Sequence, residues 1–278
     1  MTEEKTQENR KSIGVFDSGV GGLTVFRELM NCLPMERLIY FGDTARVPYG
    51  SKSRETVTRY SRQIVRFLRT RDVKAIVVAC NTASAMALDE IEEEASLPCI
   101  GVVKPGARAA AAATGNNKIG VIGTEATIHS GIYERFISEI APEAEIFGKA
   151  CPLFVPLAEE GLWEDPVTEE IARRYLSDLL DTGIDTLIMG CTHYPLLKKT
   201  IGRVLGEEVT LVNPAFETAR ALKEELSGRG LINDEPIRMN ENAFTFFVSD
   251  EADKFRHFAN SILPLGILGA RKVDIERY

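Results

Sequence analysis

No stretch of this sequence approaches the roughly 18 consecutive apolar residues that a membrane-spanning helix requires. Met1 to Lys11 is polar and mixed in charge, without the apolar core of a secretory leader. Basic residues do not predominate: 33 Lys and Arg stand against 41 Asp and Glu, and the net charge of −8 argues against general binding to nucleic acid or an anionic membrane. Histidine is scarce, at three residues. The five cysteines (Cys32, Cys80, Cys99, Cys151, Cys191) are odd in number and lack CxxC spacing, so a disulfide framework is not expected. These absences point to a cytoplasmic protein with reduced thiols and a small-molecule partner, acting on neither nucleic acid nor membrane. Cys32, Cys99 and Cys151 lie beside apolar residues and are expected to be buried and inert.

What is present is enough apolar sequence, 44% of 278 residues, to build two cores rather than one. Short β-rich runs alternate with helical patterns, which predicts an α/β protein with largely parallel sheets. The expected strands are Ile13 to Phe16, Leu38 to Phe41, Ala75 to Ala79, Ile100 to Val103, Ile119 to Ile122, Leu187 to Gly190, Val209 to Val212 and Phe244 to Val248. Val57, Tyr60, Ile64, Phe67 and Leu68 carry amphipathic helical spacing, with Ser53 as its cap, and Ala109 to Ala113 favours helix. Lys104-Pro105-Gly106 and Asn213-Pro214 break the pattern and are read as crossings between lobes. The expected domains are therefore 1–104 joined by 213–278, and 105–212 between them.

The chain looks duplicated. Ile76-Val77-Val78-Ala79-Cys80-Asn81-Thr82 resembles Leu187-Ile188-Met189-Gly190-Cys191-Thr192-His193, and Ile13-Gly14-Val15-Phe16-Asp17-Ser18 resembles Ile119-Gly120-Val121-Ile122-Gly123-Thr124. Each cysteine thus ends a buried-type strand, where open α/β sheets form ligand crevices, and precedes a helix start that favours thiolate. Two thiols on related lobes can face one substrate from opposite sides, the arrangement a cofactor-free racemase needs. Zinc is the weaker reading of Cys80, Cys191 and His193, because His129 and His257 have no partnering pattern; no metal is expected. His193 is instead placed to share a proton with Cys191.

Asp17-Ser18-Gly19-Val20-Gly21-Gly22 could suggest a phosphate loop, but the dinucleotide fingerprint would need glycine where Thr24 stands, and Asp17 would repel phosphate. A close backbone approach to a small ligand fits better, with Asp17 receiving an ammonium group or holding a proton and Ser18 donating to a carboxylate. The turn Pro48-Tyr49-Gly50-Ser51 can add backbone N–H groups around the same carboxylate.

Phe16 to Gly22, Pro48-Tyr49-Gly50, Ala79 to Ala83, Gly123 to Thr127 and Gly190 to Leu196 together resemble the glutamate racemase family, in its order and spacing. The resemblance covers Ile13 to about Ser261. It implies two pseudo-symmetric α/β domains with the active site between them, and interconversion of L- and D-glutamate without cofactor. Cys80 and Cys191 would be the acid/base thiols, Cys80 taking the α-proton of D-glutamate and Cys191 that of L-glutamate. Asp17, His193 and Glu159 would assist, and Ser18, Tyr49, Gly50, Asn81, Thr82, Thr124, Thr127 and Thr192 would contact substrate. It further implies a homodimer that supplies D-glutamate for peptidoglycan, and with it cell-wall biogenesis and cell shape. The rival readings are an aspartate racemase of the same superfamily and a non-enzymatic amino-acid or dicarboxylate binding protein.

Overall fold

The computed structural model describes residues 7–236 and 243–278. Residues 1–6 of the polar amino-terminal segment lie outside the described residues. One sheet contains β1 (Ser12–Asp17), β2 (Leu38–Gly42), β3 (Val73–Val78), β4 (Cys99–Gly101), β9 (Phe244–Val248) and β10 (Arg271–Lys272), in the order β10-β9-β2-β1-β3-β4. The other contains β5 (Lys118–Gly123), β6 (Glu145–Ala150), β7 (Thr186–Gly190) and β8 (Thr210–Val212), in the order β6-β5-β7-β8. Every strand pairing is parallel. The order 2-1-3-4 therefore recurs as 6-5-7-8, so the duplication is one of topology as well as sequence, with β9 and β10 added at one edge of the first sheet.

Each sheet is packed by helices on both faces. On the first, helices Leu23–Cys32, Pro214–Arg229 and Ala252–Ile262 close one core around Phe26, Tyr40 and Phe255, and helix Arg54–Arg69 closes the other around Phe41 and Phe67. Helix Val103–Ala113 lies on the second sheet, where Val103, Ala107 and Ala110 meet Ile119 and Ile188. Ser53 caps helix Arg54–Arg69 as expected, its hydroxyl accepting from the Thr56 N–H at 3.3 Å.

The structure corrects several expectations. Strands β6 and β10 were not expected: Glu145–Ala150 is an edge strand whose side chains are exposed or half-buried, so it lacks a continuous apolar run. Val103 belongs to a helix rather than to the end of β4, and Lys104-Pro105-Gly106 lies in that helix's first turn, where proline removes no helical hydrogen bond. All five cysteines are free, but only Cys80, Cys151 and Cys191 are buried; Cys32 and Cys99 are half-buried. Among the described residues no helix is long and apolar enough to cross a membrane.

Candidate active site

The carboxyl ends of the central strands of both sheets converge on a cavity of about 280 Å³. Ser18 enters it after β1, Cys80, Asn81 and Thr82 after β3, Thr124 after β5, and Cys191, Thr192 and His193 after β7. Tyr49 and Gly50, in the loop after β2, also line it, as does Glu159. Asp17 and Thr127 stand behind this lining: both are buried, and each is hydrogen-bonded to a residue that lines it, Asp17 to Thr192 and Thr127 to Thr124.

Cys80 caps helix Asn81–Met86, its sulfur accepting from the Ala83 N–H at 3.5 Å. The expected thiolate preference does not follow. Burial, together with the negative charge of Asp17, outweighs the help from Ala83 and Ser18 and pushes the Cys80 thiol up to about 12, so it is a neutral thiol at neutral pH. Cys191 meets no helix N-terminus of its own. A short 3₁₀ turn, Tyr194–Leu197, follows it, and its sulfur lies 3.8 Å from His193 Nδ1. On its other side, His193 Nε2 lies 3.0 Å from Glu159 Oε1. Burial disfavours the charged imidazole, but Cys191 and Glu159 reverse that and raise the His193 pKa to about 10. The ring is thus imidazolium at neutral pH, donating from both nitrogens. The hydrogen bond from His193 also holds the Glu159 carboxyl below its ordinary range.

Asp17 is fully buried, and burial raises its pKa despite the opposing charge of His193 and nearby N–H groups. It accepts from the Gly19 N–H at 2.9 Å and from the Thr192 hydroxyl at 3.5 Å. The second contact joins the two sheets, as does the Thr24 hydroxyl donating to the Thr192 carbonyl at 2.8 Å. Gly21 is glycine for a steric reason: a β-carbon there would stand 2.5 Å from the His193 ring.

Hydroxyls of Thr82, Thr124 and Thr127 form a second junction, with Thr124 3.0 Å from each of the other two. The Tyr133 hydroxyl donates to Asn81 Oδ1 at 2.7 Å, which leaves the Asn81 amide N–H groups for the cavity. Tyr49 donates its hydroxyl to Asp43, so its ring and main chain are what the cavity meets.

An apolar wall of Val47, Pro48, Pro152, Val155 and Pro156 completes the cavity; of these, only Pro48 was placed near the site from sequence. Its second half follows β6, the topological counterpart of β2. Recognising that edge strand would have placed Pro152 to Pro156 opposite Pro48-Tyr49-Gly50. Among the described residues no three His, Cys, Asp or Glu side chains converge as a metal site would require.

Two parallel sheets with matched strand-end thiols define a class, and residues 13–222 match the Asp/Glu/Hydantoin racemase family. The chain is 55% identical over 266 residues, 96% of this chain and 97% of the other, to a glutamate racemase of Geobacter metallireducens. It superimposes on glutamate racemase RacE1 of Bacillus anthracis with a TM-score of 0.90 at 41% identity, covering 96% of this chain and 98% of that one. For the Francisella tularensis glutamate racemase in complex with D-glutamate, the TM-score is 0.89 at 39% identity, covering 97% and 100%. The chain belongs to the glutamate racemase family, whose members are amino-acid racemases.

Proposed function

We propose that the protein interconverts L- and D-glutamate by two-base proton transfer between Cys80 and Cys191, without a cofactor. The observation that supports this reading is that both thiols, each following a matched strand in a different sheet, line one small cavity. Starting from L-glutamate, Cys191 takes the Cα proton while the neutral thiol of Cys80 donates a proton to the opposite face. Each turnover leaves the pair in the reversed protonation state, and D-glutamate is then the substrate that restores it.

Each thiol has its own charged neighbour, the His193 imidazolium with Glu159 on one side and Asp17 on the other. A substrate ammonium group drawn towards Asp17 offsets the carboxylate charge that helps hold Cys80 protonated. Ser18, Asn81, Thr82, Thr124 and Thr192 offer hydroxyl and amide donors to the substrate carboxylates, and the Gly50 main chain joins them. Fixed donors of this kind stabilise the planar carbanionic species as charge builds. Thr127 orients Thr82 and Thr124, and Tyr49 shapes the wall.

The same reading takes 1–104 with 213–278 as one domain and 105–212 as the other, supported by the pairing of β9 with β2. It places the enzyme in the cytoplasm as a homodimer that supplies D-glutamate for peptidoglycan. Replacing either thiol tests the mechanism: Cys80→Ala and Cys191→Ala should each abolish racemisation in both directions. Near-normal turnover by either variant would refute the two-base assignment. Cys→Ser should be severely impaired as well, since a hydroxyl is far too weak an acid to replace a thiol.

A further inference from the structure

Behind the cavity wall formed by Pro48-Tyr49-Gly50 lies a buried charged network whose Asp43 and Arg46 do not line the cavity. Asp43, which follows β2, is fully buried. Arg46 Nε donates to both of its oxygens, at 3.0 and 2.8 Å, and the Tyr49 hydroxyl donates to one of them. The Arg46 guanidinium is fixed in turn. It donates to Gln63 at 2.6 Å and to Glu276 at 3.0 Å, and it lies 4.1 Å over the Tyr60 ring, which packs against Tyr49. Two further contacts pin the same loop to the end of β9: the Ala45 N–H donates to Ser249 and the Thr44 hydroxyl to the Asp250 carbonyl.

A buried carboxylate needs a cation and several donors to be tolerated. Here those donors come from Arg46 and from Tyr49, whose main-chain neighbour Gly50 faces Thr124 of the other sheet. The network thereby backs the side of the cavity where Gly50 meets Thr124.

We propose that Arg46 is a positioning residue of the active site: it fixes Asp43, Asp43 fixes Tyr49, and the Pro48–Ser51 main chain thereby stays in register with Thr124. The inference rests on the racemase reading above. It makes Arg46 act on substrate binding, with no part in proton transfer.

The test is steady-state kinetics in both directions on folded Arg46→Met, Arg46→Lys, Tyr49→Phe and the double variant Arg46→Met/Tyr49→Phe. Arg46→Met should raise KM on the order of tenfold, as for loss of a charge-assisted buried hydrogen bond, with kcat little changed. Arg46→Lys, which keeps the charge but loses the planar fork, should recover part of the loss. Tyr49→Phe should raise KM in the same way, and the double variant should be no worse than the worse single, because both act through Asp43. Unchanged KM in folded Arg46→Met, or effects that multiply in the double variant, would overturn the proposal. If Arg46→Met does not fold, Tyr49→Phe decides: it leaves Asp43 and Arg46 paired, and an unchanged KM there overturns the proposal equally. Wild-type racemisation of glutamate, measured alongside, separates failure of this inference from failure of the functional reading.

Discussion

Replacing Gly50 by alanine tests whether the cavity depends on close contact between the loops of the two sheets. Gly50 does not have positive φ, so its backbone accepts alanine. The added β-carbon, however, would stand 2.7 Å from Thr124 Cβ and 2.9 Å from its Cγ2. Non-bonded carbons settle at about 3.5 to 4.0 Å, so Thr124 must retreat by roughly 1 Å. Thr124 caps helix Glu125–His129 and lies 3.0 Å from the Thr82 hydroxyl, a bond that a displacement of this size breaks. Because the contact joins two loops across a cavity, the halves can part to relieve it. The stability cost should therefore sit at or below the lower end of ordinary overpacking, about 1 kcal/mol. Catalysis has no such escape, since a misplacement of about 1 Å can cost about a hundredfold in rate. Coupled assays on L- and D-glutamate should show kcat/KM reduced roughly 10- to 100-fold. The reduction should be equal in both directions, because the enantiomers have equal free energy in solution. Near-wild-type kcat/KM in a folded Gly50→Ala protein would refute the argument that this contact sets the working geometry.

Three further outcomes follow from buried groups. The folded-state pKa of His193 is raised to about 10 from an ordinary value of 6.5, so its stabilising contribution is complete below about 6.5 and is lost as pH rises through about 10. Urea denaturation at neutral and alkaline pH should show the wild type losing more stability over that window than His193→Gln; equal losses would contradict the assigned contacts. Lys74 is fully buried against Glu36, with further bonds to the Asn9 and Leu231 carbonyls, and Lys74→Met should destabilise by about 3–5 kcal/mol by stranding that carboxylate. Tyr194 directs its hydroxyl at the carbonyls of Gly123 and Cys151, and Tyr194→Phe should cost about 1–3 kcal/mol in a denaturant titration.

The parallel α/β architecture was legible because β1, β2, β3, β5 and β7 are buried on both faces and so spell near-continuous apolar runs. The duplication was legible for the same reason: both thiols end such a strand. What escaped was carried by other signals. Strand β6 is an edge with half-wet faces and reads as ordinary polar sequence, and losing it hid Pro152, Val155 and Pro156 as part of the cavity. The ionisation of the site escaped too. A strand-end cysteine at a helix start suggests a thiolate, but burial beside Asp17 makes Cys80 a neutral thiol, a balance that depends on the three-dimensional surroundings. Asp43 and Arg46 escaped as well, since nothing local in the sequence announces that Tyr49, Tyr60, Gln63 and Glu276 meet there.

The most direct test of the two-thiol account is to incubate the metal-stripped protein with L-glutamate in D2O, without added cofactor, and follow optical rotation together with deuterium at Cα. The account predicts that rotation decays to zero while deuterium enters the D-glutamate formed. Folded protein with reduced thiols that changes neither signal would contradict it.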